Sequence, residues 1–376
     1  MQEVKNQKVL LDGSRIIIES LVQSGAQAFV GYPITPANLL YAYSKQRFPI
    51  FLPASDEITA LQWVTGISAA GKLPVTATSF PGFALMIETL NMAYMMELPM
   101  VIVLVQRLGP STGSATAGAQ GDVLMLRSCI SGGYPIPVFC PSNFKDCWDL
   151  SALSLKTANE LRTPVVLLTS KEMVMTNRSF NLNDLSSISP VIRKYYDGHD
   201  PYKPYQAAGN LVPPFVSLGS DDYLVRLNSS THNQLGVIQK ATPEAMANTK
   251  RLKQKIDYYM FKPDNIKYEY DKDDGADKII VTYGISSEAS RTATLLLRNE
   301  EEKISLLVIK SLLPVSSEIM NIQKKYKHII FVEENLTGQM KELMYGQFAD
   351  SKIRSINHIG QMITPNEIVK EVVSCR

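Results

Sequence analysis

The first half of the chain repeats one pattern, in which short apolar runs alternate with helix-length segments. The clearest run, Met100–Val105, is apolar at every position, as expected for a strand whose sheet is covered on both faces. Similar runs at Ala28–Val30, Ile50–Leu52 and Val75–Thr78 are separated by segments long enough for a helix. Because strands that alternate with helices pair in parallel, the pattern predicts an α/β fold with a doubly wound parallel sheet.

The 376 residues are too many for one ordinary domain, so we expect two. Residues 1–185 carry the alternation, and residues 186–275 form an irregular connecting segment with one charged helix near Pro243–Tyr259. The alternation resumes in residues 276–376, which predict a second, smaller α/β domain. Its predicted elements are a strand Lys278–Tyr283, a helix Ser287–Arg298, a strand Ile304–Lys310, a helix Pro314–Lys324 and a strand His328–Glu333.

Composition excludes several classes of function. The chain is 45% hydrophobic and 20% charged with a net charge of +2, which gives no basic excess for nucleic acid. No apolar run is long enough to cross a bilayer, and the polar residues 1–8 lack the apolar stretch of a signal peptide, so the cytoplasm is expected. The cysteines, Cys129, Cys140, Cys147 and Cys375, form no Cys-x-x-Cys pair, and no metal site is predicted in this chain.

Polar segments follow four of the predicted strands. They are residues 32–35, 56–57, 79–82 and 106–113, each rich in polar residues, glycine or proline. In a parallel sheet of this kind, ligands bind at the carboxyl ends of the strands. The sequence therefore predicts one site built from four loops.

The first of these loops, Gly31–Pro36, reads Gly-Tyr-Pro-Ile-Thr-Pro. Its two prolines fix the backbone on either side of Ile34 and Thr35, which keeps the segment extended and prevents it from continuing as a helix. So stiff a loop after a buried strand can hold the Thr35 hydroxyl in place for a ligand. A simple proline-rich turn explains the six residues equally well.

Two charged residues at the same predicted edge each have two explanations. Glu57 begins an otherwise apolar helix, where its carboxylate either complements the helix dipole or points into a cofactor pocket. Arg107 leaves the most apolar strand and forms either a structural ion pair or a two-pronged bond to a substrate carboxylate. Gly109 and Gly113 allow the backbone to approach a ligand closely, but their spacing is not the dinucleotide-binding fingerprint. Residues 79–82 alone read as a turn.

Together these segments resemble a known family. The runs Gly31–Pro36, Asp56–Glu57, Thr78–Gly82 and Gln106–Gly113 look like those of the α subunit of 2-oxoacid:ferredoxin oxidoreductases. The likeness spans nearly the whole chain, and the length fits that of α subunits of the 2-oxoglutarate synthase type. It implies a pyrimidine-binding domain for thiamine diphosphate, followed by a domain that resembles the transketolase C-terminal domain.

The resemblance also implies roles for residues. Glu57 would contact the aminopyrimidine and favour the tautomer whose imino group removes a proton, while Thr35 and Arg107 would approach the carboxylate of the 2-oxoacid. The cofactor-binding residues it implies are Tyr32, Pro33, Ile34, Thr35, Glu57, Ser79, Pro81 and Gly82; the substrate-binding residues are Thr35, Arg107, Ser111, Thr112 and Thr116. Phe80 and Leu108 replace glycines that are common in relatives, which leaves the particular 2-oxoacid open.

The resemblance further implies that the chain works only with a partner. No Gly-Asp-Gly segment is present to bind a diphosphate through Mg²⁺, so a β subunit would supply that half and a [4Fe–4S] cluster. The expected reaction is coenzyme-A-dependent oxidative decarboxylation of a 2-oxoacid, most simply 2-oxoglutarate, with electrons passed to ferredoxin, or its reverse. Pyruvate and branched or aryl 2-oxoacids stay open as substrates. A transketolase-type enzyme without ferredoxin and a non-catalytic α/β binding subunit are the alternatives.

Overall fold

Residues 8–374 are described by a computed structural model of the chain. Up to residue 184 the strands are β1 (Lys8–Leu11), β2 (Ala28–Gly31), β3 (Ile50–Pro53), β4 (Pro74–Thr78), β5 (Met100–Gln106), β6 (Val138–Phe139), β7 (Pro164–Ser170) and β8 (Arg178–Asn181). The helices of the same part are α1 (Gly13–Gln23), α2 (Asn38–Arg47), α3 (Glu57–Ala69), α4 (Phe80–Met95), α5 (Val123–Ser128), α6 (Phe144–Leu161) and α7 (Lys171–Met175). The predicted alternation of helix and strand is confirmed.

Residues 185–374 begin with a long stretch that has little regular structure before α8. The strands that follow are β9 (Tyr268–Asp271), β10 (Lys278–Tyr283), β11 (Ile304–Ile309), β12 (Ser311–Leu313), β13 (His328–Glu333) and β14 (Ile353–Asn357). The helices are α8 (Pro243–Met260), α9 (Ser286–Asn299), α10 (Ser317–Gln323), α11 (Gln339–Tyr345) and α12 (Pro365–Ser374). Single 3₁₀ turns lie at Ser131–Gly133, Leu182–Asp184 and Pro263–Asn265.

The larger sheet has the order β12-β6-β7-β5-β4-β2-β3. Every pairing from β6 across to β3 is parallel, which confirms the predicted parallel sheet. Strand β5 is buried along its whole length, as its uninterrupted apolar sequence requires. Because these strands run in one direction, the residues that follow β2, β3, β4, β5 and β7 meet at one side of the sheet, which we call the carboxyl edge.

The smaller sheet has the order β14-β13-β10-β11-β9, with β9 antiparallel to β11 and the other pairs parallel. Successive side chains of β10 enter different cores. Ile279 and Val281 pack into a core shared with the larger sheet, whereas Ile280 packs with Leu297 of α9 and Val372 of α12. Since side chains alternate across a strand, one face of this sheet joins the two halves and helices cover the other.

Two boundaries differ from those predicted. Pro81 is not part of a turn before α4, because the helix begins at Phe80 and accepts proline in its first turn, where no N–H bond is lost. The predicted helix Pro314–Lys324 begins only at Ser317, since Ser316 caps it by accepting the N–H of Glu318 at 3.1 Å. The residues before it form β12, which returns to the larger sheet and pairs antiparallel with β6. The division at residues 185 and 275 stays a prediction.

Cys129, Cys140 and Cys147 are free and buried, and burial raises the pKa of the Cys129 thiol to about 12. All three thiols therefore belong to the core. Cys375 and the N-terminal residues 1–7 lie outside the described residues. Across residues 8–374, no helix has the length and apolarity needed to span a membrane.

Candidate active site

The Glu57 carboxylate lies at the carboxyl edge, at the first residue of α3. Asp56 caps this helix by accepting the N–H of Thr59 at 2.7 Å, so the helix starts immediately before Glu57. The Glu57 side chain is buried, with 6% of the residue exposed. Within residues 8–374 no hydrogen bond reaches its carboxylate, and the carboxylate oxygens are not themselves buried in the protein, so they face open space at the edge of the sheet. Helix capping therefore belongs to Asp56 and does not account for the burial of Glu57.

Gly82, in the first turn of α4, makes room for that carboxylate. A Cβ atom at Gly82 would lie 2.5 Å from both Cγ and Oε1 of Glu57 and 2.2 Å from Oγ1 of Thr78. Glycine is required here by the close approach of Glu57. Ser79, the residue before α4, is fully buried, and within the described chain its hydroxyl has no hydrogen-bond partner. Gly82 and Glu57 are therefore in direct contact, and we call these two residues together with Ser79 the pocket wall.

Arg107 joins the proline loop to the end of β5. Its Nη1 donates to the backbone carbonyl oxygen of Thr35, while its Nε is buried without a partner in the part of the chain described. Burial lowers the pKa of Arg107, and the negative charge of Glu57 opposes that effect. The structure therefore brings together Thr35, Glu57 and Arg107.

The other residues of the proline loop are more open. Ile34 and Thr35 are half-buried, and Ile34 packs against the core. Tyr32 is 39% exposed and Pro33 is also exposed. Half of the predicted cofactor-binding loop thus faces outward in this chain.

The loop after Arg107 closes on itself through backbone bonds. Leu108 donates its N–H to the carbonyl oxygen of Ala117 at 2.8 Å and accepts the N–H of Ser114 at 2.9 Å. Gly113 has a positive φ of 51°, and a Cβ there would lie 1.7 Å from the carbonyl oxygen of Leu108, so only glycine fits this turn. The predicted substrate residues of the loop, namely Ser111, Thr112 and Thr116, are exposed. The structure does not bring them into the Glu57 pocket.

Two residues, Glu172 and Gln120, hold the base of this loop, and neither of them was singled out from the sequence. Glu172, just past the end of β7, accepts the N–H of Gly118 at 3.0 Å. A Cβ at Gly118 would lie 1.7 Å from Oε2 of Glu172, so the loop passes directly over this carboxylate. Glu172 could have been found from the sequence, because it is a polar residue that follows a buried strand, as the residues of the four predicted loops do.

Gln120 ties the loop to the smaller sheet. Its Nε2 donates to the carbonyl oxygen of Tyr283 at 2.7 Å, and its Oε1 accepts from the Ser286 hydroxyl and the Glu334 N–H, both at 2.8 Å. Its backbone carbonyl oxygen accepts from the Tyr283 hydroxyl and from Nδ2 of Asn335, each at 3.1 Å. Through this fully buried residue, the second half of the chain fixes where the loop ends.

Two carboxyl groups close to Gln120, those of Asp122 and Glu334, are buried. Burial raises the pKa of Asp122 to about 7, and its Oδ2 has no hydrogen-bond partner in residues 8–374. Burial also raises the pKa of Glu334 to about 7, although its Oε1 accepts the N–H of Ile363 at 3.1 Å. Both groups are therefore part-protonated near neutral pH.

Comparison with known proteins relates the chain that contains this site to a known family. Residues 19–255, more than half of the chain, match the family described as pyruvate flavodoxin/ferredoxin oxidoreductase, thiamine diphosphate-binding. That match contains the pocket wall, the proline loop, Arg107 and the loop that follows it. The chain is 29% identical over 380 residues to 2-oxoglutarate synthase subunit KorA of Methanothermobacter marburgensis, covering 98% of this chain and all of the relative.

Solved structures agree with the family match. The structure of 2-oxoglutarate:ferredoxin oxidoreductase from Magnetococcus marinus, with 2-oxoglutarate, coenzyme A and succinyl-CoA bound, superposes with a TM-score of 0.88 at 27% identity. It covers 98% of this chain, and this chain spans 65% of the length of that one. A split-gene transketolase shares the fold, with a TM-score of 0.54 at 14% identity and coverage of 97% of both chains.

Proposed function

Because the chain belongs to the pyruvate flavodoxin/ferredoxin oxidoreductase family, we propose that it is the catalytic α subunit of a coenzyme-A-dependent 2-oxoacid:ferredoxin oxidoreductase. The substrate we propose is 2-oxoglutarate, since the relative that aligns along its whole length is named a 2-oxoglutarate synthase subunit. The observation that carries the proposal is the Glu57 side chain, which is packed against Gly82 and whose carboxylate has no hydrogen-bond partner within residues 8–374.

The residues at the carboxyl edge fit thiamine diphosphate. A carboxylate that faces open space with no hydrogen-bond donor from residues 8–374 suits a ring nitrogen that shares its proton, and the Ser79 hydroxyl is also without a partner within the described residues. The missing side chain at Gly82 leaves the space in which the Glu57 side chain itself lies. Thiamine diphosphate, when bound, supplies the carbon nucleophile for attack on the keto group and a sink for the electrons released on loss of CO₂.

Each residue of the chain then has a distinct task. Glu57 holds a proton at N1′ of the aminopyrimidine. The Glu57 side chain is held in place for this task because α3 begins at this residue and Gly82 leaves room for it. Arg107 binds the carboxylate of the 2-oxoacid through its guanidinium group, while its Nη1 bond to the Thr35 carbonyl oxygen keeps that group in one orientation. Such orientation lowers the entropic part of the barrier and involves no proton transfer by Arg107.

A partner subunit completes the site in this proposal. The chain has no Gly-Asp-Gly segment, so a β subunit carries the diphosphate, Mg²⁺ and a [4Fe–4S] cluster, and ferredoxin accepts the electrons. The exposed Tyr32 and Pro33, together with the exposed hydroxyls of Ser111, Thr112 and Thr116, are the parts of the site that the β subunit covers. We place this complex in the cytoplasm, and coenzyme A takes up the acyl group.

Glu57→Gln tests the role that carries the proposal. The amide keeps the size of the side chain but cannot share a proton in the same way, so turnover should fall by at least about 10²-fold. The matched control is Glu88→Gln, which neutralises an exposed carboxylate on α4 and should leave turnover unchanged. Turnover is measured anaerobically on the complex with 2-oxoglutarate, coenzyme A and a viologen. Near-wild-type turnover of Glu57→Gln would remove Glu57 from catalysis.

A further inference from the structure

A second, cationic cavity lies far from the Glu57 pocket. It has a volume of about 1110 Å³ and is lined by the end of α6, parts of residues 189–215 and the end of α8. We call it the cationic groove. Arg162 follows α6 and precedes β7, and Arg193 donates to the carbonyl oxygens of Ser68 and Lys72, which precede β4. The groove therefore lies at the amino ends of the parallel strands, opposite the carboxyl edge.

Positive charge in the groove exceeds negative charge. Three carboxylates line it, from Glu160, Asp197 and Asp200. The cationic side chains that line it are Lys156, Arg162, Arg193, Lys194, Lys203 and Lys262. Positive charges left without counter-charges destabilise one another, so a surplus concentrated in a concave site favours an anion there.

Two of these cations are buried against the same ring. The guanidinium carbons of Arg162 and Arg193 lie 5.2 Å and 3.4 Å from the centre of the Phe215 ring. Each guanidinium bonds backbone carbonyl oxygens, but within the described residues the Nη2 atom of each has no hydrogen-bond partner. Arg162 is 96% buried, with 4% exposed. Burial and the charge of Arg162 together lower the pKa of Arg193 to about 9.

The buried carboxylate near Arg162 does not compensate this charge, because it is already paired. Glu97 is fully buried and binds Arg251 and Lys255. Burial would raise the pKa of Glu97, but the charges of Lys255 and Arg251 lower it well below its usual range. That cluster carries one negative and two positive charges, so it adds to the positive surplus beside the groove.

Size and chemistry select the ligand class. A cavity of this volume is at the upper end of those that hold small organic molecules. The lysine ammonium groups that line the groove suit phosphate oxygens, and the Tyr195 ring, which is 52% exposed, offers aromatic surface for a planar ring. We propose that the cationic groove binds a nucleoside phosphate, at a site separate from the catalytic one.

The direct test uses ADP as the probe on the intact complex. The variant Lys194→Glu/Lys203→Glu reverses two groove charges that are not fully buried and should raise the dissociation constant for ADP by at least about tenfold. The control Lys324→Glu/Lys325→Glu makes the same charge change at exposed positions at the end of α10 and should leave it unchanged. Both variants should keep wild-type turnover, since neither touches the carboxyl edge.

Equilibrium dialysis gives the affinity, and lysine acetylation read by mass spectrometry gives the location. ADP should protect Lys194 and Lys203 from acetylation and leave Lys324 reactive. Absence of saturable ADP binding, or equal affinity in the groove and control variants, would overturn the proposal. Resistance of Lys194 and Lys203 to acetylation in the complex without ADP would also overturn the proposal. It would mean that another subunit fills the groove.

Discussion

Replacing Gly82 by alanine tests whether the position of the Glu57 carboxylate matters. The added Cβ atom would lie 2.5 Å from Cγ and Oε1 of Glu57, whereas ordinary contact begins at 3.4 Å. Since Oγ1 of Thr78 is still closer, at 2.2 Å, the new methyl group cannot retreat in that direction. Glu57 must therefore move by about an ångström, and a displacement of that size costs roughly 10²-fold in turnover.

The matched control is Gly66→Ala, in the helix that begins with Glu57. A Cβ at Gly66 meets nothing within 4 Å, and alanine is favoured over glycine in an exposed helix by about 0.5–1 kcal/mol. Gly66→Ala should therefore stabilise the chain slightly and keep full turnover. Gly82→Ala should instead lower the free energy of unfolding by about 1–3 kcal/mol through overpacking.

Viologen reduction by the complex, measured per mole of folded complex, gives turnover, and urea unfolding gives stability. A Gly82→Ala complex that turns over within about twofold of wild type and gains stability as Gly66→Ala does would refute the reasoning. It would mean that Glu57 is not held against Gly82 in the working enzyme.

Three further changes test charged groups. Arg107→Ala should raise the KM for the 2-oxoacid by about 10- to 100-fold with a smaller effect on kcat, because a charge-assisted bond worth about 1.5–3 kcal/mol is lost; an unchanged KM would remove Arg107 from the substrate site. Glu97→Gln should lower the free energy of unfolding by about 3–5 kcal/mol, since Arg251 and Lys255 lose their buried counter-charge, and a loss below about 1 kcal/mol in urea unfolding would contradict this. Folding raises the pKa of Asp122 from about 4 to about 7, so the native state keeps a proton that the unfolded state releases. Stability should fall as pH rises from about 4 through 7, and Asp122→Asn should flatten that decline in urea titrations at several pH values.

The sheet and its carboxyl edge could be predicted because they rest on local signals. The uninterrupted apolar sequence of β5 required burial on both faces, and parallel pairing then placed Thr35, Glu57 and Arg107 at one edge. Arg107 follows β5 directly, and Thr35 and Glu57 each come four residues after the end of β2 and β3. Their grouping needed no knowledge of side-chain contacts.

Contacts between distant segments had no such signal. Strand β12 spans three residues and pairs with β6. A run this short does not indicate which strand it pairs with. In the sequence Gln120 is one of many polar loop residues. Its hydrogen bonds could not be predicted because they are made to residues at the ends of β10 and β13, which are distant in sequence. The exposure of Ser111 and Thr112 also could not be predicted, because the sequence of one chain does not show which surfaces a partner covers.

The most direct test of the central claim is anaerobic viologen reduction by the complex isolated through a tag on this chain, with added thiamine diphosphate, coenzyme A and a panel of 2-oxoacids. We expect reduction with 2-oxoglutarate, dependent on coenzyme A, and formation of succinyl-CoA. Reduction with another 2-oxoacid alone would correct the substrate and keep the reaction. No reduction with any 2-oxoacid, in a complex that contains its iron–sulfur partner, would contradict the assignment of this chain as a catalytic subunit.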